Sequence, residues 1–178
     1  SSTGALLNTY TLATQDRGTD WVDLAADQQT LFYTSEGSQV KRFNVATSTQ
    51  LTDFSNVGGT EYALRLLQGG GLLVANTSNV LRLTAAGIIA QTYLSGSNLL
   101  FALNLDPNGV DFWTAEYSTG RIVAVNINTG AIDHDFNIGT GISGLSLKGE
   151  LTVSNPVPEP GTLSLLAVAL LICVGVLR

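Results

Sequence analysis

The chain has 178 residues, a net charge of −6 and only 12% charged residues. This length accommodates one ordinary domain with an extension. The acidic balance, without any cluster of lysine or arginine, argues against nucleic-acid binding, which requires a basic face. Cys173 is the only cysteine and lies in a long apolar run, which excludes a disulfide framework and a cysteine-based metal site upstream of it.

The predicted elements recur as a four-strand repeat through residues 1–155. The second strand of each unit is the clearest, because the apolar segments at 31–36, 71–76 and 111–116 begin forty positions apart. The other strands are predicted at 21–24, 62–66 and 101–105 (first), 40–45, 80–83 and 122–127 (third), and 47–51, 86–89 and 129–132 (fourth). Short alternating strands joined by glycine, asparagine and aspartate turns at this period predict the blades of a β-propeller.

Both ends of the repeat region carry partial units. Residues 3–10 read like the last strand of a blade, and residues 142–155 read like the first two strands of another. Either the two pieces join into a composite fourth blade that closes a small ring, or blades of a larger ring are missing before residue 1. The absence of an initiating methionine and of a signal peptide favours the second alternative. We therefore expect an all-β fold with about three complete blades and partial blades, N-terminally truncated.

The best-formed copy of the repeat, residues 111–122, resembles the blade motif of the NHL, YVTN and streptogramin-lyase-like propellers. The resemblance extends over about residues 5–155 and is shared by all three units. It implies the fold. It leaves the function open, because these propellers include scaffolds, binding modules and a few enzymes.

Polar side chains occupy one equivalent position in successive units, at the end of the second strand: Glu36, Asn76, Glu116 and Asn155. In a propeller these positions follow one another around the axis, so they form a candidate polar ring at one end of the channel. Oxygen ligands of this kind suit Ca²⁺ or Mg²⁺, and the resembling lactonase-type propellers hold a metal with carboxylate and amide groups. The alternative is that each side chain caps the turn that follows it. Because the position repeats, we favour capping, with no cofactor.

No catalytic constellation is predicted. His134 is the only histidine and lies on an outer strand, directed away from the channel, whereas a lyase of the streptogramin type needs an inward base. No G-x-S-x-G motif is present. The strand aromatics Trp21, Tyr33, Phe112 and Trp113 are candidates for sugar stacking, but their repeat positions favour the core between blades.

The C-terminal segment has three parts. Residues 156–160 are a proline-rich linker that contains the stiff motif Val157-Pro158-Glu159-Pro160. An uncharged run from 161 to 177 follows, about 25 Å long as a helix, and Arg178 ends the chain. The run predicts one transmembrane helix, anchored through Leu163 to Leu177, with Arg178 on the cytoplasmic side.

This tail resembles the PEP-CTERM sorting signal of exported proteins in Gram-negative bacteria. The resemblance implies processing by an exosortase, anchoring in the inner membrane before processing, and a final place at the cell surface or in the extracellular matrix. We therefore expect a non-catalytic binding or structural module, with an extracellular polysaccharide or a surface protein as partner. The alternative is a metal-dependent lactonase-like enzyme that uses Glu36, Asn76 and Glu116.

Overall fold

The computed structural model describes residues 4–153, which form thirteen β-strands and no helix. Within these residues, no helix is long and apolar enough to cross a membrane. Asn155, the predicted sorting motif at 157–160 and the predicted transmembrane helix at 161–178 lie outside the described residues.

The strands form three antiparallel sheets in chain order. Sheet 1 contains β1 (Val22–Leu24), β2 (Thr30–Tyr33), β3 (Gln39–Asn44) and β4 (Thr49–Gln50), with β5 (Ser55–Asn56) also paired to β3. Sheet 2 contains β6 (Glu61–Leu66), β7 (Leu72–Asn76), β8 (Val80–Leu83) and β9 (Ile89–Tyr93). Sheet 3 contains β10 (Leu100–Leu105), β11 (Asp111–Glu116), β12 (Arg121–Asn126) and β13 (Ile132–Asn137). The predicted repeat of four antiparallel strands is confirmed.

The turns between strands depend on glycine at positions where a side chain would collide with backbone. Gly71, between β6 and β7, has a φ of 78°, and a Cβ there would lie 2.1 Å from the carbonyl oxygen of Leu83. Gly120 opens β12 with a φ of 74°, and its Cβ would lie 2.1 Å from the Thr140 carbonyl oxygen. Left-handed backbone with this little space admits only glycine, so these glycines fix the hairpins and, with them, the strand register.

Apolar side chains from neighbouring sheets form the core. One cluster joins sheets 2 and 3 and includes Leu73, Leu103, Phe112 and Val125. A second joins sheets 1 and 2 and includes Val40. The first strands β1, β6 and β10 lie side by side, and we call the border that they form the inner edge. Each sheet therefore packs face to face on the next, while the three first strands meet at one common border.

The terminal segments differ from the prediction, because residues 4–21 and 138–153 contain no strand. The N-terminal segment instead contacts sheet 1 through single side chains, and the Tyr10 ring meets Phe43 edge-on at 5.5 Å. After β13, Ile142 is buried against sheet 3. A strand needs a partner edge to satisfy its backbone groups, and no strand of the described residues pairs with these two segments. The partial blades predicted at both ends are therefore not formed in the described residues.

Candidate functional sites

The three described repeated polar residues, Glu36, Asn76 and Glu116, lie at or just beyond the ends of the second strands. Each contacts groups close to it, in its own sheet or in the segment that leads to that sheet. The side-chain oxygen of Asn76 accepts hydrogen bonds from the backbone N–H groups of Ser78 and Asn79, both at 2.9 Å. Glu36 has a φ of 52° and lies 3.4 Å from Arg17, which precedes sheet 1. These contacts are those of turn caps and local ion pairs.

Glu116 belongs to a small network at the start of the hairpin between β11 and β12. The Thr119 hydroxyl donates to Glu116 at 2.6 Å, and the Arg121 guanidinium lies 3.4 Å from its other carboxylate oxygen. Arg121 also pairs with Asp135 at 2.7 Å, which holds the pKa of Asp135 below its usual value. Within residues 4–153, no three His, Cys, Asp or Glu side chains are placed to hold a metal ion together.

Glu61, the first residue of β6, is not among the site residues predicted from the sequence. Glu61 has no exposed surface, and neither carboxylate oxygen has a hydrogen-bond partner among the described residues. Burial raises the pKa of Glu61 to about 8. The nearby Asn76 amide opposes part of this rise, although it forms no hydrogen bond of ordinary geometry with the carboxylate. Its counterpart in sheet 3 is Leu100, since each of the two pairs with the last residue of a second strand. The sequence signal that could have identified Glu61 is a charged residue at a repeat position where sheet 3 has leucine.

A second polar cluster lies on the inner edge. Asp23, Arg65 and Asn104 come from β1, β6 and β10, and Glu150 comes from the segment after sheet 3. Glu150 forms an ion pair with Arg65 through two contacts and accepts a hydrogen bond from the Asn104 amide at 2.8 Å. It also accepts the backbone N–H of Leu105 at 3.1 Å. One acidic side chain thus connects the first strands of sheets 2 and 3.

The same cluster reaches sheet 1. Asp23 accepts the backbone N–H of Leu66 at 2.9 Å, and the Arg65 guanidinium lies 4.8 Å from the centre of the Trp21 ring. Burial raises the pKa of Asp23, while the hydrogen bond from Leu66 and the charge of Arg65 oppose that rise. Carboxylates therefore accept the backbone N–H groups of Leu66 and Leu105, on the side of β6 and β10 that no other strand pairs with. This cluster stabilises the inner edge.

An apolar cleft of about 440 Å³ opens between sheets 1 and 2, where β1 and β6 end. Phe32 and Phe54 line it on the sheet 1 side, and the glycine-containing turn 69–71 lines it on the sheet 2 side. The two rings meet edge-on at 5.2 Å. Val153, the last described residue, also contributes to the lining.

The aromatic candidates divide between core and surface. Tyr33 and Phe112 are fully buried, as the core interpretation predicts, whereas Trp21 and Trp113 are partly buried. His134 stacks on Trp113 at 5.5 Å with the rings nearly parallel, and it lies on the outermost strand of sheet 3. The Trp113 indole N–H donates to Asp106 at 2.7 Å. His134 therefore packs against a strand aromatic.

The comparisons with known proteins bear on the fold. The crystal structure of the WD40 β-propeller domain of Doa1 is similar with a TM-score of 0.68 and 12% sequence identity. The match covers 79% of this chain and 48% of that one, so the chain spans about half the length of the matched structure. No family model and no curated protein matches the sequence. The described residues form a β-propeller repeat region. Its assignment to the NHL or YVTN type stays a prediction.

Proposed function

We propose that this protein is an exported β-propeller that acts at the cell surface or in the extracellular matrix as a non-catalytic binding or structural module. A C-terminal sorting signal, with Val157 to Pro160 as its motif, delivers it to the membrane for processing by an exosortase. An extracellular polysaccharide or another surface protein is the proposed partner. A β-propeller fold supports a binding or structural module.

The contacts of the repeated polar residues support the non-catalytic assignment most directly. The Asn76 side-chain oxygen is engaged by two backbone N–H groups, and the Glu116 carboxylate by Thr119 and Arg121. A metal or substrate at these atoms would have to displace those bonds, at a cost of about 1 kcal/mol for each neutral one. The lactonase-like alternative requires such displacement at Asn76 and Glu116, and it also requires Glu36 to leave its ion pair with Arg17.

A divalent-cation titration separates the two functions. We expect the melting temperature of the full chain to stay constant with Ca²⁺, Mg²⁺, Mn²⁺ or Zn²⁺, because only a ligand of the native state raises it. A rise that Glu116→Gln abolishes, while Asp133→Asn on the exposed strand β13 does not, would favour the lactonase-like enzyme instead.

The sorting assignment is tested by the intact mass of the mature protein from its native host. Cleavage near Pro160 is expected, and replacement of Glu159 or Pro160 should block it while membrane insertion continues. An intact Arg178 in the mature protein would make the tail a plain anchor. Glycan arrays then test the binding role, and a chain that binds no glycan and captures no surface protein would be a structural spacer.

A further inference from the structure

A second pocket, of about 160 Å³, lies between sheets 2 and 3, next to the turns that follow β6 and β10. Five polar side chains contribute to its lining: Gln68, Arg82, Asp106, Asp111 and Asn128. Gln68 and Asn128 are exposed, whereas Arg82 and the two aspartates are half-buried. The pocket therefore has charged walls and a rim of neutral amides that faces solvent.

The two aspartates of the pocket are held in place by neutral donors. Asp106 accepts the Trp113 indole N–H at 2.7 Å and the backbone N–H of Asn108 at 2.8 Å. Asp111 accepts the side-chain amides of Asn108 at 2.6 Å and Asn126 at 3.2 Å. Each of the four carboxylate oxygens thus has one donor, and each retains a lone pair that can accept a further hydrogen bond.

Arg82 is the charged group of the pocket that lacks a direct partner of opposite charge. Its Nη1 donates to the Ile127 carbonyl at 3.3 Å. Burial raises the pKa of Tyr93, and the neighbouring Arg82 opposes this rise. No carboxylate of residues 4–153 lies within 4.0 Å of an Arg82 nitrogen. Because a guanidinium has five N–H donors in a planar fork, Arg82 retains donors for an anion that enters the pocket.

We propose that this pocket binds a sugar unit that carries a carboxylate, namely a uronic acid residue of an extracellular polysaccharide. The carboxylate pairs with Arg82, as guanidinium and carboxylate groups do in a two-bond contact. The sugar hydroxyls bond to the amides at the rim and to the aspartates. This inference rests on the proposed binding function and names the ligand of that function.

The distribution of charge favours one carboxylate accompanied by hydroxyl groups. Asp106 and Asp111 line the same pocket as Arg82 and would repel a second negative charge, so a phosphate ester fits less well than a carboxylate. Hydroxyl groups can donate to these aspartates. The acidic side chain of a protein partner would bring a carboxylate without any hydroxyl, and would leave that capacity unused.

The rim and the apolar part of the lining also suit a sugar. The side-chain amides of Gln68 and Asn128 form no hydrogen bond within residues 4–153, and an amide can both donate to and accept from a hydroxyl. Leu105 and Ile127 supply apolar surface for the C–H groups of the ring. At about 30 Å³ for each water, the volume equals about five water molecules, so one sugar unit enters and not several.

Ligand-observed NMR with the full chain tests the proposal. The ligands are D-glucuronate, D-galacturonate, D-mannuronate and L-guluronate, each compared with its methyl ester, which lacks the charge and keeps the ring hydroxyls. At least one acid should bind at least about tenfold more tightly than its ester, because only the acid forms a charge-assisted contact. Arg82→Gln should abolish this preference. Arg17→Gln, which removes a highly exposed arginine outside the pocket, should retain it.

A rim variant makes the test independent of the fold of Arg82→Gln, which thermal melts establish. Asn128→Ala, at an exposed position, should weaken binding of the preferred acid about two- to fivefold by removing one hydrogen bond. Equal affinity of every acid and its ester, a preference that Arg82→Gln leaves intact, or unchanged affinity in Asn128→Ala would overturn the proposal.

Two further ligands separate this inference from the proposed function. Binding of neutral polysaccharides without preference for the acid would overturn the uronate assignment and leave the binding function in place, whereas a glycan array without any bound sugar would remove both. N-acetylaspartate amide that competes as well as the uronates would show that the pocket takes a protein carboxylate, and would overturn the sugar assignment.

Discussion

The buried carboxyl of Glu61 should make the stability of this protein depend strongly on pH. Glu61 is fully buried and its two carboxylate oxygens have no hydrogen-bond partner among the described residues, so the folded state favours the neutral carboxyl. Its pKa is about 8 in the folded protein, against 4.5 for an ordinary glutamate. Between these values the unfolded chain is ionised while the folded protein keeps the proton, so the free energy of unfolding falls as the pH rises.

The size of the effect follows from the difference between the two pKa values. With about 1.36 kcal/mol for each pKa unit, ionisation of the unfolded state costs the folded protein about 5 kcal/mol of stability between pH 4.5 and 8. The loss is complete once the pH exceeds the folded pKa. This is a large share of the roughly 5 to 15 kcal/mol that stabilises an ordinary domain.

Glu61→Gln removes the titration and keeps the shape of the side chain. Guanidinium unfolding, followed by the fluorescence of Trp21 and Trp113, is measured for both proteins from pH 4.5 to 8.5. The stability difference should shift in favour of the variant by about 5 kcal/mol across this range. Asp133→Asn, at an exposed site, controls for the loss of one carboxyl. A difference that stays constant to within about 1 kcal/mol would show that Glu61 is not held neutral by burial.

Three further variants test contacts on which the sheets depend, each by chemical unfolding. Asn76→Ala should cost about 2 kcal/mol, because two turn N–H groups lose their acceptor; a loss below about 0.5 kcal/mol would contradict the capping role. Tyr93→Phe should cost about 1 kcal/mol by removing the hydroxyl that donates to the Ile127 carbonyl, and an unchanged midpoint would refute it. Gly120→Ala should cost about 2 kcal/mol or more, since its Cβ would meet the Thr140 carbonyl oxygen; wild-type stability would show that the hairpin can move.

The sequence predicted the sheets well because the signal repeats. Period-two alternation and turn residues recur forty positions apart, so a weak strand such as β4 could be placed by analogy with its stronger copies. The exact ends of the strands were predicted less accurately than their order. The turn into the fourth strand of sheet 3 and the start of that strand were predicted at 129–132, with His134 on the strand; the strand runs from Ile132 to Asn137, because the turn Asn126–Gly130 occupies the residues before it.

Two features could not be predicted, and both involve residues outside the repeat pattern. Glu150 reaches Arg65 and Asn104 across long sequence distances, and no local pattern indicates such a contact. The segments at 4–21 and 138–153 carry strand-like patterns but lack a partner edge, which sequence alone does not reveal.

Comparison of the three sheets separates residues that the repeat shares from residues that occur in one sheet only. A polar residue that recurs in every sheet, such as Asn76 or Glu116, serves the hairpin that it precedes. Glu61 is different, because the equivalent position in sheet 3 is occupied by Leu100. A carboxyl at this position is therefore not required by the hairpins that the sheets share. Because burial of a lone carboxyl destabilises the fold at neutral pH, its presence is costly to the architecture. Glu61 therefore marks a departure of sheet 2 from the common repeat, whereas Asn76 and Glu116 belong to that repeat.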